Sequence, residues 1–176
     1  EYAEGQMFEL NQRRVKKEVT KVKDVLNEVV DRIRAAKQND GGFTGLRTSF
    51  DKLDEYTNGW QPSTLNIIAA RPAMGKTAFV LSMAKNMAID HNSPVAIFSL
   101  EMSNEQLASR VLSTEARVES NKLRSGNITQ AEWQRLAEAT NLLASRCELY
   151  FDDTSTITVP EIKAKIRRMK NVDCII

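Results

Sequence analysis

Gly75, Lys76 and Thr77 stand between a short apolar run, Leu65 to Ala70, and a helical pattern that begins at Ala78. A strand, a tight loop ending in Gly-Lys-Thr and a helix form the unit that cradles nucleotide phosphates. Loop N–H groups and the helix N-terminus point at the anion. Lys76 is placed against the β- and γ-phosphates, and the Thr77 hydroxyl toward Mg²⁺. Gly75 is expected where the backbone comes close and bends, and where a Cβ would clash. The general pattern opens on glycine, whereas this loop, Ala70-Arg71-Pro72-Ala73-Met74-Gly75-Lys76-Thr77, opens on alanine. A bare Gly-Lys-Thr also occurs in ordinary turns. Here the flanking strand and helix, and Pro72, which excludes one continuous helix, favour the phosphate loop.

Glu101 is the second candidate. Val95 to Ser99 predicts a strand running into Leu100-Glu101-Met102, and Ser103 with Gln106 forms a capping box that starts a helix. Glu101 then sits where a strand's carboxyl end meets a helix, the edge at which open α/β sheets bind ligands. From position alone two readings stay open: a carboxylate acting on a bound ligand, and a solvated acidic turn residue. His91, the single histidine, lies in a His-Asn-Ser-Pro connection and is expected as an exposed loop residue. Cys147 and Cys174 have neither metal-type nor redox-type spacing and read as small apolar residues of a reducing cytosol.

The elements that must position these residues alternate along the chain. Ser49 opens a short helix with Phe50 and Leu53 inward, and Asn58-Gly59 is a turn. The helix after the phosphate loop carries Phe79, Val80, Met83, Ala84 and Met87 on one side. Asn121 to Gly126 reads as a helical turn closed by glycine. Thr129 with Glu132 caps a helix to about Ser145, whose Trp133, Leu136, Ala137, Leu142 and Leu143 include the core side. Glu148 to Phe151 is the next strand. Thr158 with Glu161 caps a helix bearing Ile162, Ile166 and Met169, with Arg167, Arg168 and Lys170 in its last turn. Val172 to Ile176 starts a fourth strand. This alternation predicts an α/β fold with a mostly parallel sheet. A chain ending inside an apolar strand is expected to be a fragment.

Ahead of these elements, Phe8, Val15, Val19, Val22, Leu26, Val29 and Ile33 keep heptad spacing broken only at Gln12. They predict a helix from about Met7 to Ala36, roughly 45 Å long at the standard rise. Its narrow apolar stripe must dock, either on its own domain or on a neighbouring subunit. Asn39-Asp40-Gly41-Gly42 reads as a hinge. The 176 residues suit one domain with an appendage, and a net charge of +2 provides no strong field for nucleic acid, although a local basic surface remains compatible with it. No run approaches a membrane span.

Several separated stretches together resemble the bacterial replicative DNA helicases of the DnaB type. They are Ala70 to Thr77, Phe98 to Ser103, Leu123 to Gly126, Asp152 to Thr154 and Glu161 to Arg168. The likeness runs in order from about Phe8 to Ile176, and that family's phosphate loop likewise opens on alanine. The resemblance implies a RecA-like P-loop ATPase that forms a hexameric ring around single-stranded DNA. It implies nucleotide binding by Ala70, Arg71, Pro72, Ala73, Met74, Gly75, Lys76 and Thr77, with Mg²⁺ on the Thr77 hydroxyl. Glu101 would activate the attacking water, with Lys76 on the triphosphate, and Arg110 would contact the base. Residues 1–40 would be a linker helix docking on the adjacent subunit, and 41–176 the N-terminal part of the motor domain. A further domain is expected before Glu1, and the Walker B aspartate, DNA-binding loops and arginine finger after Ile176. The partners implied are ATP, single-stranded DNA at the fork, copies of the same chain, a primase and a helicase loader, in the cytoplasm and without a membrane. Two other functions compete. One is a RecA-like ATPase that is not a helicase, of recombinase or clock type, which the Glu161 to Arg168 stretch and the long helix disfavour. The other is a fragment acting only as an assembly module. The fragment alone is expected to be inactive.

Overall fold

The computed structural model describes residues 21–38, 43–169 and 171–176. The chain divides into two units, Glu1–Gly42 and Phe43–Ile176. In chain order the elements are α1 (Val22–Gln38), α2 (Asp51–Thr57), α3 (Lys76–Asp90), β1 (Val95–Phe98), α4 (Asn104–Ala116), α5 (Ser120–Ser125), α6 (Gln130–Arg146), β2 (Leu149–Asp152), α7 (Val159–Arg168) and β3 (Cys174–Ile175).

In the first unit, α1 runs two residues past the expected Ala36. Phe8, Val15 and Val19, the expected helix start and the Asn39 to Gly42 hinge lie outside the described residues. The stripe on α1 is wider than heptad counting suggests. Val25 and Val30 join Val22, Leu26, Val29 and Ile33 as exposed apolar side chains. At 100° per residue these six span about 140° of the helix, a full amphipathic face rather than a seam.

The second unit is built on β1. Val95, Ala96 and Ile97 are all buried, as an unbroken apolar strand requires. The strand is central in a three-stranded parallel sheet of order β2-β1-β3. Its register pairs Val95 with Leu149 and Phe98 with Asp152 on one side, and Val95 with Cys174 on the other. Met83 and Met87 of α3 have no exposed surface and join Leu107 and Val111 of α4 and β1 in the main core. A second cluster gathers Ala116, Val118, Leu136 and Ala139 where α4 meets α6. The capping boxes at Ser103, Thr129 and Thr158 all form.

Five expectations are corrected. Leu65 to Ala70 forms no strand, and Leu65 and Ile67 are exposed. Both edges of β1 are already taken by β2 and β3, and the β3 ladder is short, its backbone bonds to β1 and Pro94 running only from Asp173 to Ile176. A six-residue run therefore finds little backbone to pair with. Ser49 does not open α2. The N-cap is Phe50, without a side-chain cap, and Ser49 has a φ of 61°. The turn is held instead by Asp54, which is fully buried and accepts from Thr48 N–H, Thr48 Oγ1 and Ser49 N–H at 2.6–3.1 Å. His91 is half-buried rather than an exposed loop residue, because it closes α3 and lies 2.9 Å from Ser49 Oγ. Trp133 and Ala137 face solvent, since the buried line of α6 runs through Leu136 and Ala139.

Gly45 and Gly59 clamp the chain entering the second unit. Leu46 and Trp60 exchange two backbone bonds of 2.8 Å, and a Cβ on either glycine would meet the other's backbone at 2.5–2.7 Å. This holds Trp60, just ahead of the phosphate loop, against the core.

Candidate nucleotide-binding site

The loop before α3 is shaped by backbone conformation. Met74 N–H bonds to Arg71 C=O at 3.3 Å, Ala73 takes a φ of 62°, and Gly75 takes a φ of 84° as the N-cap. A Cβ on Gly75 would meet nothing within 4 Å, so the expected clash is absent from the protein itself. The glycine is required for its left-handed φ, which a side chain resists. No side chain caps α3. The first N–H groups of a helix have no intrahelical acceptor, so this end offers donors and a partial positive charge to an anion.

Glu101 enters from the sheet. Phe98 ends β1, and Ser99 Oγ accepts the Met102 N–H at 2.9 Å, folding the turn that carries Glu101. Ser103 then caps α4. Lys76, Thr77, Ser99 and Glu101 line one cavity of about 490 Å³ at the carboxyl ends of β1 and β3. Lys76 and Glu101 are both exposed and unpaired by any ion pair among the described residues. The structure thus brings Lys76, Thr77 and Glu101 together. Ala70, Arg71, Pro72, Ala73, Met74 and Gly75 are exposed around the loop but do not line that cavity. Arg110 lines a second cavity, of about 840 Å³, which shares Leu81 and Met102 with the first.

Sequence reasoning missed the supports of this edge. Asp152, at the end of β2, accepts a hydrogen bond from Lys165, and its pKa is held down to about 2 by that bond first and by Thr154 next. Asp153 accepts from Asn104 N–H and Nδ2, tying β2 to the start of α4. The Asp-Asp-Thr run is visible in the sequence, but its partners lie far along the chain. Burial pushes both Cys147 and Cys174 thiols up, in keeping with packing rather than thiol chemistry. Among the described residues no group of three or more His, Cys, Asp or Glu could hold a metal ion unaided. The Thr77 hydroxyl, a hard oxygen donor beside Lys76, suits a Mg²⁺ ion that arrives with phosphate ligands.

A parallel sheet, a glycine-capped phosphate loop and a carboxylate at the adjoining strand end define a RecA-like P-loop α/β domain. The chain belongs to the DnaB-like helicase C terminal domain family, whose model matches residues 45–176. It is 43% identical over 168 residues to the replicative DNA helicase DnaB of Geobacillus stearothermophilus, covering 96% of this chain and 37% of that protein. It is 44% identical over 168 residues to the replicative DNA helicase DnaC of Bacillus subtilis, with the same coverage. The chain therefore spans under two-fifths of the length of these curated relatives. Among solved structures, one described as an ATPase domain matches with a TM-score of 0.78 and 30% identity, over 87% of this chain and 53% of that one. A DnaB-like replicative helicase studied for its interactions with primase matches with a TM-score of 0.73 and 28% identity, over 96% of this chain and 39% of that one.

Proposed function

We propose that this chain is part of the motor of an ATP-driven replicative DNA helicase, acting as a ring hexamer on single-stranded DNA. The observation that carries the reading is the meeting of Lys76, Thr77 and Glu101 on one cavity at the strand ends. Phosphoryl transfer asks little covalent chemistry of a protein and much positioning and charge. The open helix start at Gly75 and the Lys76 ammonium hold the phosphates. The Thr77 hydroxyl would hold Mg²⁺, which when bound would neutralise charge on the phosphate oxygens. Glu101 accepts a hydrogen bond from the attacking water and aligns it. Arg110, in the adjoining cavity, contacts the base. The exposed face of α1 docks on a neighbouring copy and so couples subunits. Primase and a loader are the partners that fit such a motor, and the cytoplasm is its place. No helix among the described residues is long and apolar enough to cross a membrane.

The test is made in the full-length protein. Lys76→Ala abolishes ATP turnover, and Glu101→Gln lowers kcat steeply while nucleotide affinity stays near that of the parent. Turnover that survives Lys76→Ala overturns the site. ATP hydrolysis without separation of a forked duplex would favour the non-helicase ATPase instead.

A further inference from the structure

We propose that Asn121 and Arg124 of α5 read the base of a bound purine nucleotide, alongside Arg110; this rests on the nucleotide reading above. Ala78 and Leu81 of α3 form one wall of the second cavity, Arg110 of α4 another, and Asn121 and Arg124 a third. Because Leu81 and Met102 line both cavities, the two are neighbours, and the far end of a ligand anchored by its phosphates at Lys76 would lie toward this one. Its volume is in the range of small-molecule sites.

The chemistry suits the neutral end of a nucleotide. Arg110 and Arg124 supply planar guanidinium groups that stack on aromatic rings and donate to ring acceptors. Glu105, in the same lining, repels phosphate and accepts from hydroxyl groups. Arg124 Nη2 donates to Asn121 Oδ1 at 3.4 Å, which leaves the Asn121 Nδ2 donors for a base edge. The wall is therefore rich in donors and favours purines, whose large π face and ring nitrogens offer both stacking and acceptors.

A six-residue helix would be loose by itself, yet α5 is fastened on both sides of Asn121. Lys122 Nζ lies 2.7 Å from Glu132 Oε1, and Glu132 is only 8% exposed. Ser113 Oγ donates to Val118 C=O at 2.6 Å and lies 3.0 Å from Ser120 Oγ, fixing the turn from α4. Leu123 packs on the second core cluster. Asn121 and Arg124 themselves are exposed, so replacing them leaves these fastenings in place.

Equilibrium binding of ATP, GTP, CTP, UTP and inorganic tripolyphosphate to the full-length protein tests the proposal. The parent binds purine nucleotides more tightly than pyrimidine nucleotides. Asn121→Ala and Arg124→Ala weaken purine binding about tenfold, compress the spread among the four nucleotides and keep tripolyphosphate binding, with Arg124→Lys recovering part of the loss. Lys76→Ala loses tripolyphosphate as well. An unchanged nucleotide spread in both alanine variants overturns base reading. So does Arg124→Ala that dissociates the oligomer in sedimentation with the spread intact, which makes Arg124 a subunit contact. Failure of the parent to bind tripolyphosphate or any nucleotide overturns instead the nucleotide reading on which the proposal rests.

Discussion

Asp153 and Asn104 join a strand's end to a helix's start across 49 positions of sequence: the Asp153 carboxylate accepts the Asn104 N–H at 3.0 Å and its Nδ2 at 3.1 Å. Asn104 opens α4, three residues beyond Glu101. With Ser99 Oγ holding Met102 N–H from the other side, the turn that carries Glu101 is clamped at both ends. Hydrogen bonds to a charged group contribute roughly 1.5–3 kcal/mol each. Asp153→Ala should therefore lower kcat for ATP hydrolysis about tenfold through a displaced Glu101, with nucleotide affinity changed little. Steady-state kinetics with parallel binding titrations check this, and parental kcat would remove the clamp from the mechanism.

Gly75 separates a steric from a conformational requirement. Its φ is 84°, and the space around a Cβ is open. Gly75→Ala should destabilise the loop by about 1–2 kcal/mol, the strain of a left-handed alanine. Ala73 already bears a similar strain at a φ of 62°. The expected result is weaker nucleotide binding with little change in the melting of the core. Binding equal to the parent's would show that the loop does not need this φ when loaded.

Two carboxylates with pKa values lowered to about 2 contribute to the acid limb of stability, beside Glu161, which the Thr158 backbone and side-chain bonds also hold down. The pKa of Glu132 is lowered to about 2 by the Lys122 hydrogen bond first and then by Thr129, and that of Asp152 to about 2 by Lys165 and then Thr154. Both folded values lie below the ordinary range for unfolded Glu and Asp, about 4.3 and 3.9. Their contribution is thus fully present above those unfolded values and is lost as pH falls toward 2. Chemical denaturation across pH 2–7 should show stability falling from about pH 4.5 downward. Glu132→Gln should flatten that limb, and an unaltered slope in that variant would assign the acid loss elsewhere.

Asp54 is a fully buried carboxylate of the scaffold. It takes the Thr48 and Ser49 N–H groups and the Thr48 hydroxyl. Asp54→Ala strands the two buried Thr48 donors, each at about 1–3 kcal/mol, and the half-buried Ser49 N–H, so a loss of about 3 kcal/mol or more is expected in urea unfolding. A loss under about 1 kcal/mol would mean that the segment relaxes to let water in.

What could be read from sequence follows from how local each interaction is. The boxes at Ser103 and Thr129 are complete within a few residues and form where the pattern puts them, and the helix after Gly75 starts within two residues of its expected place. Glu101 reaches the cavity because strand end and helix start are both local signals. Asp54, by contrast, carries no sequence signal of its role, since nothing in Asp-Lys-Leu-Asp announces a turn six residues back as its partner. Trp133 is misplaced because apolar character alone does not fix helix phase. Leu65 to Ala70 has strand composition, but a strand needs a neighbour, and no local pattern supplies one.

The face of α1 makes the last prediction. Val22, Val25, Leu26, Val29, Val30 and Ile33 are exposed along one side of the helix. Covering each such side chain is worth roughly 1.5–3 kcal/mol before ordering costs. A groove of about 500 Å³ on the second unit, lined by Ala108, Leu112, Leu123 and Leu143 of α4, α5 and α6, is apolar enough to receive a helix of this kind from a neighbouring copy. Exchange of a helix between identical subunits closes a ring when the rotation repeats. If the proposed helix exchange holds, Val22→Asp with Leu26→Asp should dissociate the proposed oligomer of the full-length protein, because two carboxylates would be buried without partners. Ala108→Arg, an exposed position at the groove, should do the same from the receiving side, with circular dichroism and nucleotide binding of the separated subunits preserved. Sedimentation velocity reads both variants. An intact oligomer in the first sinks helix exchange altogether, whereas an intact oligomer in Ala108→Arg alone moves the receiving surface to another part of the neighbour.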